Sequence, residues 1–136
     1  MTKDLTPIVR GRDVMSQRII SIDGMATARE AAAKMKAEKV QSLLVEKRHD
    51  DDAWGLITVQ DIITGVLIPN KKAEDVNVYE IMTKPIFSVS ADMDIRYIAR
   101  LLHRVNLRRA PVEDHGKLVG MITLSALVLE NDLFLR

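Results

Sequence analysis

Two short phrases carry the side chains best suited to chemistry. "GLITVQD" at residues 55–61 sets Thr58 and Asp61 three apart, while "GMITLSA" at 120–126 keeps Thr123, adds Ser125 and has Ala126 where the aspartate stood. A hydroxyl followed three residues later by a carboxylate, where a strand turns into a helix, can do two jobs. It can close the first turn of the helix as a capping box. It can also join the unpaired N–H groups of that turn in holding a phosphate, while the carboxylate accepts from both hydroxyls of a ribose. The spacing alone leaves both open. The second phrase has lost one charged hydrogen-bonding group, about 1.5–3 kcal/mol, so a ligand held this way binds there at least roughly tenfold more weakly.

Other reactive chemistry is sparse. His49, His103 and His115 share no metal-ligand spacing, and the chain has no cysteine, which removes thiolate ligands, disulfides and a cysteine nucleophile. No nucleophile elbow, Walker loop or dinucleotide glycine pattern occurs, so a non-enzyme without catalytic cofactor or metal is expected. "HDDD" at 49–52 reads as a loop, since consecutive acids diverge and do not converge on a cation. Arg96, Arg100 and Arg104 recur at i, i+4, i+8 with His103 beside them. They read as a solvated helix face, the alternative being a basic patch for nucleic acid or an acidic partner. A net charge of +1 and 4% aromatic residues do not call for nucleic acid or a membrane.

The elements that must position these residues come in duplicate. In 136 residues, "VMS" at 14–16 and "IMT" at 81–83 lie 67 positions apart, as do "IISID" at 19–23 and "IFSVS" at 86–90. Ala28, Ala31, Ala32 and Met35 fall on Ile95, Ile98, Ala99 and Leu102, one face of a helix in each copy. "VQSLLV" at 40–45 falls on "LRRAPV" at 107–112, and beyond the next loop the offset is 65. Each copy reads strand, helix, strand, strand, helix, an α+β plan. Thr27 with Glu30, and Asp94 at the matching place, predict the start of the long helices. Val59, Ile62, Ile63, Val66 and Leu67 predict one apolar face of the final helix in copy one, with Leu124, Leu127 and Val128 matching in copy two. The polar stretch 69–77 reads as a linker between a first repeat at 8–68 and a second at 78–130. A repeat of about sixty residues is marginal alone, which argues that the copies pack on each other.

This order of marks resembles a tandem cystathionine-β-synthase domain pair, the CBS pair or Bateman module. The resemblance rests on "DVMS" and "YEIMT" before each first strand, "VQSLLV" and "LRRAPV" after each first helix, and "GLITVQD" closing the first repeat, over residues 8–130. It implies two β-α-β-β-α repeats related by a pseudo-twofold axis, with clefts that bind adenosine-containing ligands, and assembly into disc-like homodimers.

What the resemblance implies for single residues follows. Thr58, Asp61 and Leu56 would meet a ligand from one side, with adenine against Pro85, Ile86, Phe87, Leu107 and Ala110 and phosphates against Arg108 and Arg109. A second, weaker site would draw on Ile19, Ile20, Gln41, Ser42, Thr123 and Ser125. The expected function is a stand-alone regulatory module for AMP, ADP or ATP acting on an unidentified effector protein. The alternatives are an S-adenosylmethionine or NAD sensor, a structural dimerisation module with vacant clefts, or docking through the arginine face. Ile62, Val66, Leu127 and the tail "LENDLFLR" are candidates for a dimer contact or for internal core. The stretch "MTKDLTPIVRGRD" has no apolar signal core and no run approaches about 18 apolar residues, so a soluble cytoplasmic protein is expected.

Overall fold

The computed structural model describes residues 7–133 of the chain, so Phe134 to Arg136 of the tail lie outside the described residues. The described chain forms two compact units, one running from Ile20 to Ile86 and the other joining residues 7–19 with residues 87–133. The units follow one plan.

In the first, β1 (Ser21–Ile22) pairs in parallel with β2 (Ser42–Val45), which pairs antiparallel with β3 (Gly55–Thr58). Helix α2 (Ala28–Glu38) follows a short helical turn, α1 (Gly11–Val14), which belongs to the other unit. Thr27 caps α2 by accepting from the Glu30 N–H at 3.1 Å, and Lys39 ends it in the left-handed region. Ala31 and Met35 close over Leu43, Val45 and Ile57, the apolar stripe anticipated from the sequence. The final helix begins as α3 (Val59–Ile62) and widens into a π-helical turn at Ile63–Leu67.

In the second unit, β4 (Val89–Ser90), β5 (Arg109–Asp114) and β6 (Lys117–Thr123) repeat the same parallel and antiparallel pairing. Helix α5 (Ile95–Arg104) buries Ile95, Ile98 and Leu102 against Val89, Val112 and Ile122. Asp94 caps it by accepting from the Arg96 N–H at 2.8 Å. The last helix, α6 (Ala126–Leu129), is a single turn.

Three expectations are corrected. The first strands are only two residues long, so Ile19, Ile20, Pro85, Ile86 and Phe87 precede them outside the strands. Proline has no N–H for a ladder, and β4 meets β5 only at Val112 and Glu113. The phrases "VMS" and "IMT" end helical turns that were not anticipated, α1 and α4 (Val78–Ile81), although Asn77 and Glu80 already spelled the capping box of the latter. The stretch 69–77 is also more than polar surface: Val76 is buried, and its carbonyl accepts from the Ala28 N–H at 2.7 Å.

Candidate functional site

Each unit turns a strand into a helix beside the start of its middle strand, and the polar residues singled out from the sequence gather at these corners. In the unit of Ile20–Ile86, Thr58 ends β3 opposite Ser42, and the Val59 N–H donates to the Gln41 carbonyl at 3.0 Å. The Thr58 hydroxyl accepts from the Asp61 N–H at 3.2 Å, and Asp61 Oδ2 accepts from the Thr58 N–H at 2.9 Å. The capping box is therefore complete. It occupies one carboxylate oxygen; among the described residues Oδ1 has no hydrogen-bond donor. Leu56, one strand position earlier on the other face from Ile57, is bridged to Thr83.

The corresponding corner of the other unit has different chemistry. Arg109 stands opposite Thr123, and the Leu124 N–H donates to the Arg108 carbonyl at 2.9 Å. The Thr123 hydroxyl accepts from the Ala126 N–H at 3.3 Å and lies 3.1 Å from the Ser125 hydroxyl. The hydroxyl-to-N–H bond of the first corner is thus repeated, but α6 starts only at Ala126, after Ser125, and an alanine stands where the acid stood. Burial, and then the adjoining charge of Arg108, lower the Arg109 pKa from its usual value. Two neighbouring guanidinium groups, one of them partly desolvated, favour an anion.

The structure thus groups Gln41 and Ser42 with Thr58 and Asp61, and Arg108 and Arg109 with Thr123 and Ser125. Leu107 is exposed beside the arginines, whereas Ala110 lies wholly within the core of its unit. Phe87 packs against that same core and Ile20 against the core of the other unit. Pro85 is exposed and Ile86 half-buried, and Ile19 is half-buried.

Sequence reasoning missed the ion pair at the hairpin. Asp52, the last acid of "HDDD", accepts from Lys84 Nζ at 2.7 Å and from the Arg48 N–H at 2.9 Å, and its side chain is only 10% exposed. The Lys84 hydrogen bond, with the Arg48 N–H second, holds the Asp52 carboxyl well below the usual carboxylate range. The partner is 32 residues away, so no local pattern announces it. Among the described residues no group of three or more His, Cys, Asp or Glu could hold a metal ion, and no helix is long and apolar enough to cross a membrane.

An open apolar groove of about 570 Å³ runs between α2 and the final helix of the Ile20–Ile86 unit, lined by Ala32, Met35, Val59, Ile62, Val66 and Leu67 among others. Ile62 and Val66 therefore serve both the core and the groove wall, whereas Leu127 is buried in the core of the other unit.

The family model for the CBS domain matches the chain twice, at residues 12–67 and 78–130. An uncharacterised protein of Methanopyrus kandleri is 30% identical over 113 residues, which are 82% of this chain and 57% of that protein. The chain thus spans little more than half the length of that relative. Among solved structures, a hexameric CBS-CP12 protein from bloom-forming cyanobacteria is 34% identical with a TM-score of 0.88, covering 92% of this chain and 69% of that one. A conserved protein from Pyrococcus horikoshii is 25% identical with a TM-score of 0.79, covering 92% of both chains.

Proposed function

The chain belongs to the CBS-domain family, whose paired domains are regulatory modules, and from that premise we propose that it binds an adenosine-containing ligand, AMP, ADP or ATP. Thr58 and Asp61 are the groups suited to a ribose, and Arg108 and Arg109, at the corner of Thr123, the groups suited to phosphate. The observation that carries this reading is the half-used carboxylate of Asp61. Its Oδ2 caps the helix while Oδ1 has no donor among the described residues, so the cap leaves one oxygen with which a ribose hydroxyl could bond. Ala126 makes the corner with Thr123 and Ser125 the weaker of the two. Ligand occupancy then biases the conformation that an effector protein reads, by binding one state more tightly than another. The arginine pair favours a phosphate-bearing ligand over S-adenosylmethionine, whose sulfonium charge it would repel, and leaves NAD as a competitor.

The complete capping box favours one second reading, a structural module in which Thr58 and Asp61 only terminate a strand and start a helix. In either case self-association fits the groove. Leu67 and Ile68, each 71% exposed, protrude beside a hollow lined by Ala32 and Met35, the knob and hole on one surface that a twofold contact requires.

Calorimetric titration with AMP, ADP, ATP, NAD and S-adenosylmethionine, beside Asp61→Asn, separates the two readings. Asparagine keeps an acceptor for the Thr58 N–H and removes the charge that the ribose hydroxyls need. The nucleotide reading expects binding by the natural chain and at least about a tenfold loss in the variant at nearly unchanged stability. No heat with any ligand, in folded and ligand-free protein, overturns it in favour of the structural module.

A further inference from the structure

The outward face of α5 differs from that of α2 in a way the fold does not require. The two helices occupy the same place in the two repeats, and their outward positions can be compared one by one. Glu30, Ala33 and Ala37 on α2 become Tyr97, Arg100 and Arg104 on α5, and Lys36 becomes His103. All four α5 residues are exposed, Tyr97 to 61%. Helix α2 mixes its charges, Arg29, Lys34 and Lys36 against Glu30 and Glu38, whereas α5 contains no acid. Asp94 at its cap pairs with Arg96 at 3.2 Å. Among the described residues Arg100 and Arg104 face no carboxylate; the Arg100 guanidinium instead lies 5.3 Å from the centre of the Tyr97 ring.

Helix energetics explain part of this. His103 and Arg104 in the last turn suit the negative end of the helix. They do not explain Arg100 at mid-helix or an exposed tyrosine beneath it, where alanine and glutamate suffice in the first repeat. Apolar surface continues past the helix end at Val105, 40% exposed, and Leu107, 36% exposed. The face therefore combines guanidinium groups that meet no carboxylate among the described residues with exposed apolar side chains.

We propose that this face docks an acidic amphipathic helix of a partner protein, its carboxylates on Arg100 and Arg104 and its apolar side chains on Tyr97, Val105 and Leu107. Charge complementarity sets the sign of the partner, and the interleaved apolar residues set its class. The two arginines are one turn apart, about 6 Å, which matches carboxylates spaced one turn apart on a facing helix. A single nucleic-acid strand would find only a short basic track and one exposed ring, Tyr97, on which to stack a base, with nothing that matches Val105 and Leu107. Leu107 is also the residue expected against adenine, but Arg100 and Arg104 take no part in that expected site, so their replacement tests this surface apart from nucleotide binding.

The test is fluorescence anisotropy with the full chain and a labelled synthetic helix carrying glutamates one turn apart beside a leucine stripe. A peptide of the same composition in scrambled order and a single-stranded oligonucleotide serve as competitors. The expected result is saturable binding that the scrambled peptide and the oligonucleotide displace poorly. Binding falls at least about tenfold in Arg100→Ala/Arg104→Ala and changes less than about twofold in Arg29→Ala/Lys36→Ala on α2. All four residues are exposed, so circular dichroism and melting should find both variants folded as the natural chain. Absence of binding, equal loss in both double variants, equal competition by the scrambled peptide, or tighter binding of the oligonucleotide each overturns the proposal.

Discussion

Ser16 and Met121 exchange two backbone hydrogen bonds of 2.8 Å each, which ties the segment before the first repeat's strand to the last strand of the second repeat. Thr83 and Leu56 do the same at 2.9 Å in the opposite sense, and the Arg10–Asp94 and Thr27–Asn77 bridges complete the exchange. Each unit therefore borrows its opening segment from the other repeat. Within each unit one Met-Ser or Met-Thr phrase meets one glycine, Met15 and Ser16 that of "GMIT" and Met82 and Thr83 that of "GLIT".

That contact leaves no room for a side chain at Gly120. A Cβ there would stand 2.6 Å from the Ser16 carbonyl oxygen and 2.8 Å from Met15 Sδ; at Gly55 the nearest atom is Met82 Sδ at 2.9 Å, with the Thr83 carbonyl oxygen at 3.3 Å. A methionine end can swing aside and a paired carbonyl cannot. Gly120→Ala should cost about 2–3 kcal/mol and Gly55→Ala about 1 kcal/mol in urea unfolding. Equal losses would refute the ranking.

The exchange also predicts where the chain can be cut. A fragment spanning residues 20–86 retains β1 to β3, α2 and α4, with Val78 buried in its core. A fragment spanning 8–68 lacks Val78, Met82 and the Leu56–Thr83 bridge. Far-ultraviolet circular dichroism at low temperature should find the former more helical and cooperatively melting, the latter largely unfolded.

Ala126→Asp should supply the acid that the second corner lacks. Thr123 already accepts from the Ala126 N–H, as Thr58 accepts from Asp61. A carboxylate at position 126 also meets the positive end of α6, so a gain of about 0.5–1 kcal/mol is expected by thermal or urea unfolding. If the nucleotide reading holds, the same variant strengthens binding at the weaker corner in calorimetry.

Asp52 sets an acid limit on the hairpin. Its folded-state pKa lies below the ordinary value, chiefly through the Lys84 hydrogen bond. A depressed carboxylate contributes stability that is fully present above the unfolded pKa, about 3.9, and is lost as pH falls toward the folded value. Thermal melts should show the natural chain weakening below about pH 4, with Asp52→Asn less stable at neutral pH and flatter across the acid range. Parallel curves would show that the pair carries no pH dependence.

The sequence by itself determined the local structure and the inventory of polar groups. The i, i+3, i+4, i+7 stripes located α2 and α5 because a helix must bury one face. The Thr58–Asp61 spacing located a strand-to-helix turn because capping is a contact between near neighbours. The duplication was legible because both copies solve one burial problem with similar residues. Tertiary structure alone decided which polar residues share a corner, that Asp52 meets Lys84, and that each repeat's opening segment completes the other's sheet. These are contacts between residues far apart in the chain, made by backbone groups and single side chains that leave no periodicity behind. Pro85 and Ile86 show the boundary between the two kinds of information: their apolar character was legible, but strand pairing begins only at Val89, where β5 supplies a partner.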